Sequence, residues 1–339
     1  MNPLDHPEAD HQRIVFRRDE DTGLEAIIAL HDTTLGPAIG GCRIMPYPTR
    51  DDALRDVLRL SRGMTYKCAI AGIPYGGGKA VIIADPATQK DTMLLHAMGR
   101  MIDELGGEYI SSFDAGTTID DVRTMGEVTR HVAGIAEGFG NASESTAQGV
   151  LHCMEACWRK LDGGSLKDVR VAIQGMGNVG ARLARLLQGV GATIVVSDVH
   201  QRACEAFDVE IIDPVKVHAS EVDILAPCAF GGVLNKHSIP EINARLIVGG
   251  ANNQLGEASD AQLLRDHGIL YCPDFLANAG GIVELHHQLK GGSKDKLSFH
   301  LKSLGFTARE IVRTADERKL TTDVVAKEIV DARIMRAKK

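Results

Sequence analysis

Two lysines stand in unusual company: Lys67 within Met64-Thr65-Tyr66-Lys67-Cys68-Ala69, and Lys79 within Gly76-Gly77-Gly78-Lys79-Ala80-Val81. A lysine is ordinarily a solvated surface group, almost never buried without a partner. Lys79, however, leads into the apolar run Ala80-Val81-Ile82-Ile83-Ala84, and the three glycines before it would let a ligand approach the backbone. An ammonium half-removed from water beside a second cation gives up its proton more readily and becomes a usable base near neutral pH. Spacing alone does not bring Lys67 to Lys79. A phosphate-cradling P-loop is excluded, because it would need Gly where Ile73 stands and Ser or Thr where Ala80 stands. Farther on, Asp114-Ala115-Gly116-Thr117-Thr118 offers a carboxylate. On its own it reads as a turn or helix-cap residue before it reads as a catalytic group.

A second chemistry is written in Gly175-Met176-Gly177-Asn178-Val179-Gly180. A glycine-rich turn alone says little. This one lies between a strand-like run at 169–173 and a helix with Val179, Leu183, Leu186, Leu187 and Val190 on one face, and Asp198 ends the next strand, 193–197. That context defines a dinucleotide fingerprint. Gly175 permits the tight turn, Gly177 lets the backbone approach a pyrophosphate, and Gly180 lets the helix pack closely. The helix N-terminus offers N–H groups to the phosphates. Asp198 would accept hydrogen bonds from the adenosine ribose and repel a 2′-phosphate, which favours NAD over NADP, with Arg202 as the counter-argument. Gly250-Ala251-Asn252-Asn253-Gln254 follows a strand, so its amides would project at the carboxyl edge where α/β sheets bind ligands.

These groups need elements to hold them. Strands are expected at 13–17, 24–30 and 80–84. A helix capped by Thr49 presents Leu54, Val57, Leu58 and Leu60, and another runs over 92–105, closed by Gly106-Gly107. The glycine- and serine-rich stretch 134–149 marks a domain boundary. Beyond it come a helix at 150–161, strands at 222–226, 246–249 and 269–272, and helices near 294–318 and 322–336. Strand–helix alternation of this kind builds a parallel, doubly wound sheet.

Composition agrees: 339 residues suggest two domains, 44% hydrophobic residues supply two cores, and 36 glycines with only 4% aromatics fit an α/β protein with many tight turns. A net charge of −7 offers no general basic surface to nucleic acid or anionic lipid. No apolar run reaches membrane-spanning length, and the first residues lack the cationic start and apolar core of a secretory signal. Seven scattered cysteines without a C-x-x-C, and no HExxH, predict reduced thiols in the cytoplasm and no metal site.

Taken in order, Gly36-Pro37-Ala38-Ile39-Gly40-Gly41-Cys42-Arg43, the segments 63–67, 77–82, 114–118 and 174–180, Ala226-Pro227-Cys228-Ala229, the segment 251–255 and Asn278-Ala279-Gly280-Gly281 resemble the leucine/phenylalanine/valine dehydrogenases of the glutamate dehydrogenase superfamily. The resemblance runs from about residue 12 to 290. It implies a substrate-binding and oligomerisation domain over 1–140, onto which a terminal helix at about 320–339 returns. A Rossmann-type NAD domain over 141–319 would follow, with a cleft between the two domains. It implies an oxidative deaminase of L-amino acids, homo-oligomeric, yielding a 2-oxo acid and ammonia. On the matched positions Lys67 would bind the α-carboxylate, Lys79 would be the acid/base, and Asp114 would assist proton transfer. Gly40, Gly41 and Met64 would border the substrate. Met176, Asn178, Val179, Thr146, Cys228, Ala229 and Asn252 would lie along the cofactor with the three glycines and Asp198.

Glutamate-specific relatives use a lysine in the slot of Ile39 and a serine in that of Leu285. With both apolar, and Ile282 beside them, an apolar side chain is expected, because a carboxylate buried there without a partner would cost several kcal/mol. Leucine-like substrates come first and phenylalanine or tryptophan next, since one or two pocket methyls discriminate by only ~1–3 kcal/mol each. Three departures bear on this. Phe113 precedes Asp114, Glu284 precedes Leu285, and Asn141-Ala142-Ser143-Glu144-Ser145-Thr146 lacks a proline common in that linker. They keep open a silent NAD- or amino-acid-binding homologue. A 2-hydroxy-acid dehydrogenase ranks last, for want of the His/Arg placement its chemistry prefers.

Overall fold

The computed structural model describes residue 6 and residues 9–136 and 142–339. The chain divides into two compact units. Unit 1 takes the described residues of Met1–Phe139 with Leu285–Gly291 and Val330–Lys339; unit 2 takes those of Gly140–Glu284 with Gly292–Ile329. The expected boundary at 140/141 lies outside the described residues.

In unit 1, β1 (Arg13–Asp19), β2 (Leu24–Asp32), β3 (Ala38–Met45), α1 (Arg50–Ala71), β4 (Gly76–Ile83), α2 (Thr92–Asp103), β5 (Tyr109–Phe113) and α3 (Ile119–Gly126) follow in sequence. The strands form a five-stranded sheet in the order β1-β2-β4-β3-β5. β4 runs parallel to β3, and β3 to β5, while β2 is antiparallel to both β1 and β4. One face packs Ile27, Ala29 and Val81 against Leu54, Val57 and Leu58 of α1. The other packs Ile28, Leu30, Ala80, Ile82 and Cys42 against Leu94, Met98 and Ile102 of α2. A sheet covered on both faces needs apolar residues at every position, which is why β2 and β4 read as continuous runs.

Two details correct the sequence reading. β4 begins at Gly76, so the three glycines are strand rather than approach loop, and the protein itself fills the space they leave. A Cβ on Gly76 would meet the Asp32 carbonyl at 2.1 Å, one on Gly77 the Thr65 nitrogen at 2.1 Å, and one on Gly78 the Tyr109 ring at 2.8 Å. Strands β3 and β5 and helix α3 were not legible; β3 is interrupted by paired glycines, and β5 and α3 are short.

Unit 2 opens on α4 (Ala142–Asp162), followed by β6 (Arg170–Gln174), α5 (Asn178–Gly189), β7 (Thr193–Ser197), β8 (Glu210–Ile211), β9 (Ile224–Pro227), β10 (Leu246–Ile247), α6 (Asp260–Asp266), β11 (Leu270–Tyr271), α7 (Asp274–Ala277), α8 (Gly280–Leu289), α9 (Lys294–Arg318) and α10 (Thr322–Ala337). Residues 285–291 and 330–339 of this stretch belong to unit 1. The strands make a parallel sheet in the order β11-β10-β9-β6-β7-β8, the doubly wound arrangement. Helix α4 starts eight residues before the expected 150, so Ala142–Thr146 is helix and not linker. Packing explains it: Gly149, a poor helix former, lies where a Cβ would be 3.1 Å from both the Ala277 carbonyl and Leu304, so it permits a close helix contact. Among the described residues no helix is long and apolar enough to cross a membrane.

Candidate active site

The site in unit 1 is assembled across three strands. Cys42 on β3 pairs with Ala80 on β4 and with Phe113 on β5. Gly41 is therefore level with Lys79, and Asp114 follows the end of β5. Strand alternation turns Lys79 to the α1 side, as it does Val81. A side chain on Gly41 would block the path across β3: its Cβ would lie 2.9 Å from the Asp114 Cβ and 2.5 Å from the Phe113 carbonyl. With glycine there, Lys79 Nζ reaches Asp114 Oδ2 at 2.8 Å. Lys79 is 6% exposed. The sheet and α1 thus hold a buried ammonium on a carboxylate.

Asp114 has a second cation. Arg43 on β3 donates from Nε to the same Oδ2 at 3.1 Å, and from Nη1 to Asp56 Oδ2 on α1 at 2.8 Å. Tyr47 donates its hydroxyl to that Asp56 oxygen at 2.6 Å. Burial would raise the Asp114 pKa, but Lys79 and then Arg43 outweigh it and hold the carboxyl down at about 2. The helix-cap reading of Asp114 is corrected, since the cap of α3 is Thr118, which exchanges bonds with Asp121 in a capping box. The turn reading stands: the Thr117 N–H donates to the Asp114 carbonyl at 3.0 Å. Arg43, Asp56 and Tyr47, which extend the charge network around Asp114, were not singled out from the sequence. An arginine within the otherwise apolar and glycine-rich run 38–45 was the available signal.

The remaining candidates of unit 1 gather unevenly. A Cβ on Gly40 would come within 3.3 Å of Met64 Cγ, so those two are neighbours. Lys67 lies one turn beyond Met64 on α1 and is half-buried. Ile39 is fully buried at the point where the β3–β4 pairing skips Gly40 and Gly41. Leu285 converges with Phe113 on Gly134, where a Cβ would lie 3.2 Å from Leu285 Cδ2 and 3.4 Å from Phe113 Cε1.

In unit 2 the turn from β6 into α5 is shaped by missing side chains. Gly175 has φ +98°, a conformation L side chains rarely adopt, and a Cβ there would meet Ala229 Cβ at 2.7 Å. A Cβ on Gly180 would strike the Gly175 carbonyl at 1.9 Å, whereas Gly177 faces open space within 4 Å. Gly177 caps α5 with no side-chain bond, so the first amides of Asn178 and Val179 are left for an external acceptor. Asp198 ties the turn down, accepting from the Met176 N–H at 2.7 Å and the His200 N–H at 2.8 Å. A carboxylate has acceptor capacity beyond two bonds. Cys228 and Val179 flank Gly180 and Gly250, and the Asn252 side chain accepts from Asn278 at 3.0 Å. Thr146 lies on α4 of the same unit. It bonds the Ala142 carbonyl at 2.8 Å and abuts Gly281, beside buried Ile282. An open glycine, free helix amides and a carboxylate at the neighbouring strand end are what a dinucleotide needs.

Residues 11–131 match the model of the Glu/Leu/Phe/Val dehydrogenase dimerisation domain, and 138–204 and 196–289 that of the Glutamate/Leucine/Phenylalanine/Valine dehydrogenases. The chain is 41% identical over 343 residues to L-tryptophan dehydrogenase of Nostoc punctiforme, spanning 98% of this chain and 96% of the relative. It is 40% identical to the leucine dehydrogenase of Geobacillus stearothermophilus (96% and 91% of the two chains) and 40% identical to the phenylalanine dehydrogenase of Bacillus thermotolerans (96% and 89%). The crystal structure of the Nostoc punctiforme enzyme superposes with a TM-score of 0.81 at 39% identity, covering 97% of each chain. Fold and site thus define an NAD-dependent oxidoreductase acting on the CH–NH2 group of amino acids. More particularly, the chain belongs to the Glu/Leu/Phe/Val dehydrogenase family.

Proposed function

We propose that the protein oxidatively deaminates an apolar L-amino acid, leucine or another branched-chain substrate foremost, reversibly to the 2-oxo acid and ammonia. The observation that carries this reading is the buried Lys79 ammonium 2.8 Å from an ionised Asp114. Lys67 holds the α-carboxylate as a point charge. Ile39 and Leu285 would meet the side chain, with Gly40, Gly41 and Met64 along the backbone of the substrate, and Ile282 is the apolar candidate that unit 2 offers. NAD, held by Gly175, Met176, Gly177, Asn178, Val179, Gly180, Asp198, Thr146, Cys228, Ala229 and Asn252, supplies a hydride acceptor for the α-carbon. Once its ammonium has released a proton to solvent, neutral Lys79 takes a proton from the water that adds to the resulting iminium and passes it to the departing amine. Asp114 keeps Lys79 aimed while that proton moves. General acid–base groups of this kind contribute about 10²–10⁴-fold each. The two units would serve a cytoplasmic homo-oligomer assembled through the domain at 11–131.

A second reading, an aromatic substrate, is favoured by the Phe113 ring beside Leu285, which could stack on an aromatic side chain, and by the likeness to a tryptophan dehydrogenase. Absorbance of reduced nicotinamide, followed on mixing the protein with NAD and each L-amino acid in turn, tests both. The strongest signal is expected with leucine. A tryptophan or phenylalanine optimum transfers the conclusion to the second reading. Measurable NAD binding with no signal from any amino acid would leave a silent binding homologue instead.

A further inference from the structure

We propose that Arg43 is a positioning residue for Asp114, the middle of a partly buried relay that runs from Lys79 through Asp114 and Arg43 to Asp56 and ends on Tyr47. The proposal rests on the assignment of Lys79 and Asp114 to the reaction. Two cations meet on one oxygen: Lys79 Nζ at 2.8 Å and Arg43 Nε at 3.1 Å from Asp114 Oδ2. That fixes the plane of the carboxylate. Arg43 is fixed in turn, since its Nη1 lies 2.8 Å from Asp56 Oδ2, the same oxygen that accepts from Tyr47. The Arg43 side chain is 18% exposed. Two cations and two carboxylates in alternation keep the relay neutral, which limits the penalty for withdrawing four charges from water.

The reaction explains why the second cation matters. When Lys79 releases its proton, an Asp114 without Arg43 would compete to hold it. Arg43 keeps Asp114 a hydrogen-bond acceptor throughout, so the proton passes to and from Lys79. Only a guanidinium spans the two carboxylates from separate nitrogens in a rigid fork; an ammonium is a point charge that serves one of them. The groups facing Asp114 are few. They are Lys79 from β4, Arg43 and the Cys42 thiol from β3, and the Tyr109 hydroxyl from β5; Asp121 of α3 acts on Cys42 and is itself held by Lys90 at 2.7 Å. Asp56 from α1 and Tyr47 face Arg43. Cys42 is buried, its thiol pushed up to about 12 by that burial, so it stays neutral.

The test uses Arg43→Met, Arg43→Lys and Asp56→Asn in the full chain, with kcat, KM for the amino acid, the pH dependence of kcat/KM, NAD affinity and the thermal midpoint measured for each. For Arg43→Met we expect kcat to fall about 10²-fold, within the range for acid–base machinery. We expect KM to change little and the acid limb of kcat/KM to rise by about one pH unit, because a positive charge has left the pair's side. Arg43→Lys should return the limb to its wild-type position while recovering only part of kcat. Asp56→Asn should lower kcat with the limb nearly unmoved. A wild-type kcat and pH limb in Arg43→Met overturn the relay. So does a loss that tracks the thermal midpoint with no shift of the limb, which is what a merely structural arginine would give. Should Arg43→Met not fold, unchanged kcat in both Arg43→Lys and Asp56→Asn overturns it equally. Turnover surviving in Lys79→Ala instead strikes the assignment of the base, whereas an inactive Lys79→Ala beside unaltered Arg43 variants strikes the relay alone.

Discussion

The two units solve opposite problems at their sites. In unit 1 the site is made of charges: Lys79, Asp114, Arg43 and Asp56 in alternation, each held by the next. In unit 2 the turn is made of absences, with Gly175 and Gly180 bare because the backbone passes where side chains would be, and Gly177 bare toward open space. The first arrangement is over-determined in charge and comes from strands and a helix spread over some seventy residues of sequence. The second is local, a run of six. Charges that move protons must be partnered and desolvated, whereas phosphates are held by whatever backbone can come close. The two regions should therefore fail in different currencies, turnover for one and cofactor affinity for the other.

Asp114→Asn probes the first most severely short of the lysine itself. It keeps shape but removes the charge between Lys79 and Arg43, and turnover should drop about 10²–10⁴-fold with NAD affinity unaltered. Weaker NAD binding in that variant would blur the division between the units. Gly180→Ala is the reciprocal change. A methyl 1.9 Å from the Gly175 carbonyl forces the turn open, and KM for NAD should rise at least tenfold, roughly the 1–3 kcal/mol of an overpacked site. An unchanged KM for NAD would show that the turn does not hold the dinucleotide. Lys67→Ala should raise KM for the amino acid about tenfold or more, the scale of one lost charge-assisted contact, and affect kcat less. Steady-state kinetics that leave both constants alone would remove Lys67 from the site.

The smallest effect concerns stability and again separates the units. His11 is buried in unit 1 with its Nε2 2.8 Å from Ser61 Oγ and its ring against His31, which donates to or accepts from Thr65. Burial first, then the neighbouring His31, lowers the His11 pKa from 6.5 to about 4. The unfolded chain therefore binds this proton first as pH falls, so the contribution is complete above about pH 6.5 and drains away toward pH 4. Its size is on the order of 3 kcal/mol at most. Asp114 acts lower, its contribution intact above its unfolded value near 3.8 and lost toward 2. Urea midpoints at pH 7 and pH 5 should differ for wild type and converge in His11→Gln; an unaltered difference in that variant would assign the acid sensitivity elsewhere.

What could be read in advance followed the range of the interactions. The glycine turn, Asp198 and the parallel sheet of unit 2 were legible because strand, turn and helix are contiguous and each glycine answers to a neighbour in sequence. Lys79 was marked by the apolar run behind it. Asp114 was named as well, but its ion pair with Lys79 was not legible, because it reaches the lysine only through the β4-β3-β5 order and the missing side chain of Gly41. The triple glycine before Lys79 suggested an approaching ligand, yet Thr65, Asp32 and Tyr109 occupy those spaces. Short elements such as β5 and α3 carry too few residues for a period to show. Arg43, Asp56 and Tyr47 become a unit only when β3 and α1 are packed together.

One paired measurement bears most directly on the whole account: turnover and NAD affinity determined side by side for Lys79→Ala. Reduced-nicotinamide formation should become undetectable or fall by at least about 10²-fold, while the dissociation constant for NAD stays within twofold of wild type. Turnover at the wild-type rate would contradict the account, because no buried ammonium on β4 would then be needed to move the proton.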